Sequence, residues 1–183
     1  RMVVNYTRLN SCLIRDQGQV FPTGEEIRQQ LRKECKVWAC MDALAAYYQI
    51  DVDKRDKHKT IFMLPNGRHY FKKTVLGNRQ SSDSWLRAYD KVIMELEGVY
   101  KLVDDLLIGG RDYKQLAESF ERLLVRCRKA GMTLASNKVQ VGENVSFTGY
   151  IIDGQTQYAD PKKVEAITKY SLPNNLKALR TWI

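Results

Sequence analysis

Residues 101–110 read KLVDDLLIGG, and this stretch decides the fold. Two adjacent carboxylates, Asp104 and Asp105, interrupt an apolar run from Val99 to Ile108 that Gly109-Gly110 ends. Neighbouring side chains on a regular strand point to opposite faces. The two acids converge on one spot only if they sit at a sharp turn between two buried strands. Like charges held that close repel unless a cation neutralises them. Hard carboxylate oxygens of this kind suit Mg2+. The alternative is a polar hairpin tip exposed to water, although no glycine stands at the turn itself.

Working outward, Val37 to Met41 is a short apolar strand candidate that ends on a third acid, Asp42. Three such acids would complete a two-metal site, in which one ion activates an attacking 3′-hydroxyl and the other stabilises a leaving pyrophosphate. The residues alone leave this reading and the exposed-tip reading both open.

The flanking segments mix strands and helices. Residues 1–10 (RMVVNYTRLN) begin with alternation and predict a strand. Pro22-Thr23-Gly24 opens a helix with Glu25 and Glu26 in its first turn and Ile27 and Leu31 on one face. Ala43 to Ile50 reads as a helical turn or loop. Thr60–Val75 reads as a hairpin around Pro65-Asn66-Gly67. Ser82 or Asp83 is expected to cap a helix running to about Leu96. Asp112 to Ala130 is the clearest helix, with Leu116, Phe120, Leu123, Leu124 and Cys127 on one face and Gly131 as C-cap. Leu134 to Tyr150 is strand-like, broken at Gly142. Asp160-Pro161 starts a further helix with Val164 and Ile167 expected inward. Helices falling between strands that look antiparallel give an α+β class.

Apolar residues make up 44% and charged residues 28% of the 183-residue chain, which excludes a disordered tail. No apolar run approaches a membrane span, and no signal peptide pattern is present. An opening Arg1 is expected of a piece of a longer polypeptide. The net charge of +9 suits a polyanionic partner such as nucleic acid, or simply a soluble basic protein. Cys12, Cys35, Cys40 and Cys127 form no CxxC pair, so reduced thiols in a cytoplasmic or nuclear setting fit better than a zinc site or a disulfide framework.

The ordered segments resemble the reverse transcriptase of gypsy-type LTR retrotransposons, in a divergent branch. RMVVNYTRLN is similar to that family's fingers segment, and MDALAAYYQI to the segment around its first catalytic aspartate. VDD matches the x-D-D core. LASNKVQ is similar to the later lysine motif, VSFTGYIID to the primer-grip hairpin, and ADPKKVEAI to the lead-in to the thumb. Departures are Leu102 where tyrosine is commonest, Asn5 for an acid, and VLGNRQSS for P-F-G-L-x-N-A-P.

The resemblance implies a palm with an antiparallel sheet backed by helices, plus partial fingers. About 1–35 and 54–80 would be fingers, about 36–53 and 81–170 palm, and 171–183 the start of the thumb. It implies an RNA-directed DNA polymerase using Mg2+ or Mn2+, an RNA template, a DNA primer and dNTPs. Thumb, RNase H and integrase would be polyprotein neighbours. Asp42, Asp104 and Asp105 would hold the metals, with the Ala43 carbonyl a further ligand. Tyr47 would sit beneath the incoming sugar, Arg1 at the triphosphate and Gly77 against the nascent pair. Lys138 would be a general acid for pyrophosphate, and Phe147, Gly149 and Tyr150 would lie under the primer end. Set against these roles are Tyr47 and Phe147 as core aromatics, with the sugar-facing role favoured for Tyr47, and Lys138 as a solvated lysine. Two further readings stand beside the enzyme: a catalytically silent, domesticated module serving as scaffold or interaction domain, and a generic basic RNA-binding domain.

Overall fold

A computed structural model describes residues 4–14, 22–154, 156–169 and 175–182. Its centre is an antiparallel sheet in the order β4-β5-β1-β6, built from β1 (Val37–Asp42), β4 (Val99–Leu102), β5 (Asp105–Gly110) and β6 (Gln140–Gly142). β1 and β5 are buried almost throughout because both faces of the sheet are covered.

The covering follows from the two-residue period of a strand. Val37, Ala39, Met41, Leu106 and Ile108 face one way, against Trp85, Leu86, Tyr89 and Val92 of α3 (Gln80–Ile93) and Leu116, Leu123 and Cys127 of α4 (Tyr113–Ala130). Trp38, Cys40 and Leu107 face the other way. They meet Ile27 of α2 (Gly24–Gln29), Val145 and Phe147 of β7 (Asn144–Phe147), and Ile152 of β8 (Tyr150–Asp153). β9 (Thr156–Ala159) completes a second antiparallel sheet, β7-β8-β9. A separate hairpin pairs β2 (Phe62–Leu64) with β3 (Gly67–His69). The fold is therefore α+β, as the sequence leads one to expect.

Several local expectations are corrected. Thr7–Cys12 is a helix, α1, rather than strand: Asn5 Oδ1 accepts from the Thr7 N–H at 3.0 Å and turns the chain. Residues 1–3 of that expected strand lie outside the described residues. Asn78, not Ser82 or Asp83, serves the start of α3, its Oδ1 taking the Gln80 N–H at 2.9 Å. Gly109 and Gly110 do end β5, but from inside it, as its last two residues. A Cβ at Gly109 would lie 2.6 Å from Trp38 Cζ3 and 2.8 Å from Cys35 Sγ, so bare backbone is what lets the Trp38 ring pack there. Leu124 is exposed, and the small Ser119 takes the buried place beside Leu116 and Leu123. Val164 and Ile167 of α5 (Pro161–Thr168) are exposed rather than inward, as are Leu176 and Leu179 of α6 (Leu176–Trp182). α2 and α4 start as their caps predict, with a Thr23–Glu26 capping box and with Asp112 accepting from Gln115.

Candidate active site

β4 and β5 join through Val103 and Asp104, with Leu102 and Asp105 as register partners. A two-residue hairpin loop needs positive φ, which normally selects glycine. Here Val103 takes it, at φ 56, an unusual conformation for a β-branched residue. The tip is held from both sides: Ala43 donates its N–H to the Asp104 carbonyl at 2.9 Å, and Trp85 Nε1 donates to the Val103 carbonyl at 3.4 Å. Asp104 is therefore a turn residue and exposed, whereas Asp105 is the first residue of the strand and half-buried.

Asp42 ends β1 opposite Asp105. Register partners project to the same side of a sheet, here the side of Cys40 and Leu107. Burial, a hydrogen bond with Asp42 and the charges of Asp42 and Asp104 push the Asp105 carboxyl up to about 6, with Lys138 opposing. Beneath them, burial first and then Asp105 and Asp42 push the Cys40 thiol up to about 12, so it stays a neutral wall. Lys138, in a 3-10 turn over Ser136–Lys138, reaches Asp42 Oδ2 with Nζ at 2.5 Å. That contact raises its own pKa.

Asp42, Ala43, Tyr47, Asp104 and Lys138 line one cleft of about 260 Å3, with Asp105 hydrogen-bonded to Asp42 at its back. Tyr47 stands in a 3-10 turn over Ala46–Gln49, and its hydroxyl pKa is raised by burial and by Asp104. The other expected residues do not line this cleft. Gly77 has φ 88, a carbonyl bonded to Asn10 Nδ2, and a position where a Cβ would lie 3.3 Å from the Val4 carbonyl. Leu76 lines the cleft in its place. Phe147 is 1% exposed, so its side chain packs the core. Gly149 and Tyr150 sit at the β7–β8 turn. Arg1 lies outside the described residues. Trp85, Val103 and Asn137 also line the cleft. Sequence reasoning missed them; only Asn137, beside the lysine of the SNK run, carried a local signal.

Among the described residues no three of His, Cys, Asp or Glu form a ready-made metal cage. The chemistry of the donor set nonetheless fits a hard divalent cation. Its acids are all oxygen donors, they repel, and the Lys138 ammonium meets part of their charge.

Known structures share this fold. A foamy viral protease-reverse transcriptase solved in complex with double-stranded DNA superposes with a TM-score of 0.91 at 18% identity, over 100% of this chain and 32% of that one. The same kind of protein with an RNA/DNA hybrid gives 0.89 at 18% identity, over 99% of this chain and 25% of that one. The fold is thus that of a reverse-transcriptase palm with partial fingers. A family model for reverse transcriptase (RNA-dependent DNA polymerase) matches residues 1–152, and the chain belongs to that family. Among its relatives are the retrovirus-related Pol polyproteins from transposons opus and gypsy of Drosophila melanogaster. They are 28% identical over 188 and 186 residues, which cover 100% of this chain and 18% of each relative. The enzymatic polyprotein of cauliflower mosaic virus (strain CM-1841) is 26% identical over 174 residues, 93% of this chain and 25% of that protein.

Proposed function

We propose that the chain is the polymerase core of a retrotransposon polyprotein, an RNA- and DNA-templated DNA polymerase that works by two-metal nucleotidyl transfer. The observation that carries this is the meeting of Asp42, Asp104 and Lys138 in one cleft, with Asp105 bonded to Asp42 behind it. Asp42, Asp104 and Asp105 would hold Mg2+ or Mn2+, with the Ala43 carbonyl as a further ligand. Such ions, when bound, supply positive charge that activates a primer 3′-hydroxyl and neutralises leaving pyrophosphate. Lys138 can swing from Asp42 to the pyrophosphate and give it a proton, since its side chain is 63% exposed. Tyr47 would close on the sugar of the dNTP, Arg1 and Gly77 would serve the triphosphate and the new pair, and the turn after Phe147 would carry the primer. The net charge of +9 suits RNA template and DNA primer. The chain spans 18% of the opus and gypsy relatives, and thumb, RNase H and integrase are the proposed polyprotein neighbours. Among the described residues no helix is long and apolar enough to cross a membrane.

A second reading, a catalytically silent domesticated module, draws on one observation: the Lys138 ammonium already pairs with Asp42 and meets part of the charge of the acids. Primer extension on an RNA template with Mg2+ or Mn2+ separates the two. The enzyme reading expects extension by the chain and none by Asp104→Asn. Duplex binding without extension, unaltered in Asp104→Asn, would establish the silent module instead.

A further inference from the structure

We infer that Arg28 is a positioning residue for the turn Thr148–Gly149–Tyr150, an inference that rests on the primer-carrying role proposed above for that turn. β7 and β8 pair Phe147 with Tyr150, which leaves Thr148 and Gly149 as a two-residue loop. Both have positive φ, 53 and 85. A loop of this kind favours Asn-Gly or Gly-Gly, because a Cβ resists the left-handed region. Thr148, branched at Cβ, is therefore a poor resident of its own turn and needs outside support to stay in it.

That support comes from α2. The Arg28 guanidinium lies 3.5 Å over the Tyr150 ring, and its Nη1 donates to Thr148 Oγ1 at 3.5 Å. Among the described residues Arg28 makes no ion pair, so these two contacts are what engage the group. The flat, delocalised guanidinium can stack and donate at once, which an ammonium cannot. α2 itself is fixed by its capping box and by Ile27, which is 3% exposed in the core below. Gly24, one turn before Arg28, leaves the space: a Cβ there would lie 3.1 Å from Arg28 Nη1 and 3.2 Å from Thr148 Oγ1. From the opposite side Asp160 donates its N–H to the Gly149 carbonyl at 3.0 Å. The turn is thus gripped between α2 and the start of α5, and Arg28 reaches both the strained Thr148 and the Tyr150 ring that follows the turn.

A primer end resting on this turn would lose its alignment if the turn relaxed. Small misplacements of a reacting group cost rate rather than affinity. The test is single-nucleotide incorporation on a primed template by the full chain, comparing Arg28→Ala and Arg28→Met. The Met variant keeps apolar packing on the Tyr150 ring and removes the donor, so it separates loss of the guanidinium from loss of packing. The expected result is an incorporation rate lower by about 10-fold to 100-fold, with the reactive fraction and nucleotide affinity unchanged. Amide hydrogen exchange at 148–150 should rise in both. Rates within about twofold of the unaltered chain, or a loss confined to the reactive fraction, would overturn the proposal. If the unaltered chain binds duplex but incorporates nothing, the polymerase reading falls instead. Exchange at 148–150 then decides alone, and no change in Arg28→Met overturns the grip.

Discussion

Asp42 and Asp105 are register partners across β1 and β5 and share a hydrogen bond between their carboxyl groups. Two ionised carboxylates cannot hold that contact, so the pair carries a proton below about pH 6 and loses it as the pH rises to neutral. Burial and Asp42 raise the Asp105 carboxyl to about 6 from an ordinary value near 3.8. Between those pH values the folded chain binds more protons than the unfolded one, so stability falls as pH rises through the window. With Asp105 half open to water, the loss should be about 1–2 kcal/mol. Urea midpoints from pH 4 to pH 7 should therefore decline, and Asp105→Asn should flatten the profile and raise stability at pH 7. An unchanged slope in that variant would place the titration elsewhere.

Lys101 of β4 pairs with Asp90 of α3, but the two are not equally buried: the side chains are 10% and 48% exposed. Removing the acid strands an ammonium that has little water around it, whereas removing the lysine leaves an acid that can hydrate. Asp90→Ala should therefore cost about 1–3 kcal/mol. Lys101→Met, filling the same space beside the Tyr89 ring, should cost less than about 1 kcal/mol. Thermal unfolding of both variants checks the asymmetry, and equal losses would show that the pair acts as an ordinary surface contact.

Gly109 is read from sequence as a stop signal, yet it is a β5 residue pressed against an indole. Trp38 cannot retreat, because its Nε1 is tied to the Gly154 carbonyl at 2.9 Å. Gly109→Ala should then overpack the site and cost about 1–3 kcal/mol, while leaving the Asp42–Asp105 end of the same strands untouched. Denaturant unfolding measures the first; duplex affinity, which should not change, measures the second.

These residues also mark the limits of sequence reasoning. Thr23, Glu26, Asp112 and Gly131 announce helix ends because capping is local chemistry. Asp42 and Asp104 announce themselves because acids at the ends of apolar strands conflict with their surroundings. Gly109 is misread because its cause, the Trp38 ring, lies across the sheet. Val164 and Ile167 are misread because periodicity gives a helix an apolar face without saying what covers it. Residues 1–10 begin with the alternation of a strand, yet Thr7–Cys12 is helical, and Asn5 takes the Thr7 N–H where the chain turns into it. At the cleft the sequence names the acids, but Trp85 enters only through α3 packing, and Arg28 only through the nearness of α2 to a turn 120 residues on.

Tyr47 gives the sharpest functional test. Its 3-10 turn follows Ala45, which holds a left-handed φ of 48, and Thr74 Oγ1 bonds its carbonyl, so the backbone beneath the ring is fixed. The ring borders the cleft on the side of Asp104, where the sugar of a nucleotide bound at the acids would lie. A fixed ring there excludes a 2′-hydroxyl by bulk, not by its own hydroxyl. Tyr47→Phe should accordingly keep the preference for dNTPs, while Tyr47→Ala should erode it by about 10-fold to 100-fold in the ratio of kcat/KM values. Competing dNTP and rNTP incorporation on one primed template measures both. Equal discrimination in Tyr47→Ala would return Tyr47 to the role of a core aromatic, consistent with its packing against the core that α3 and α4 cover.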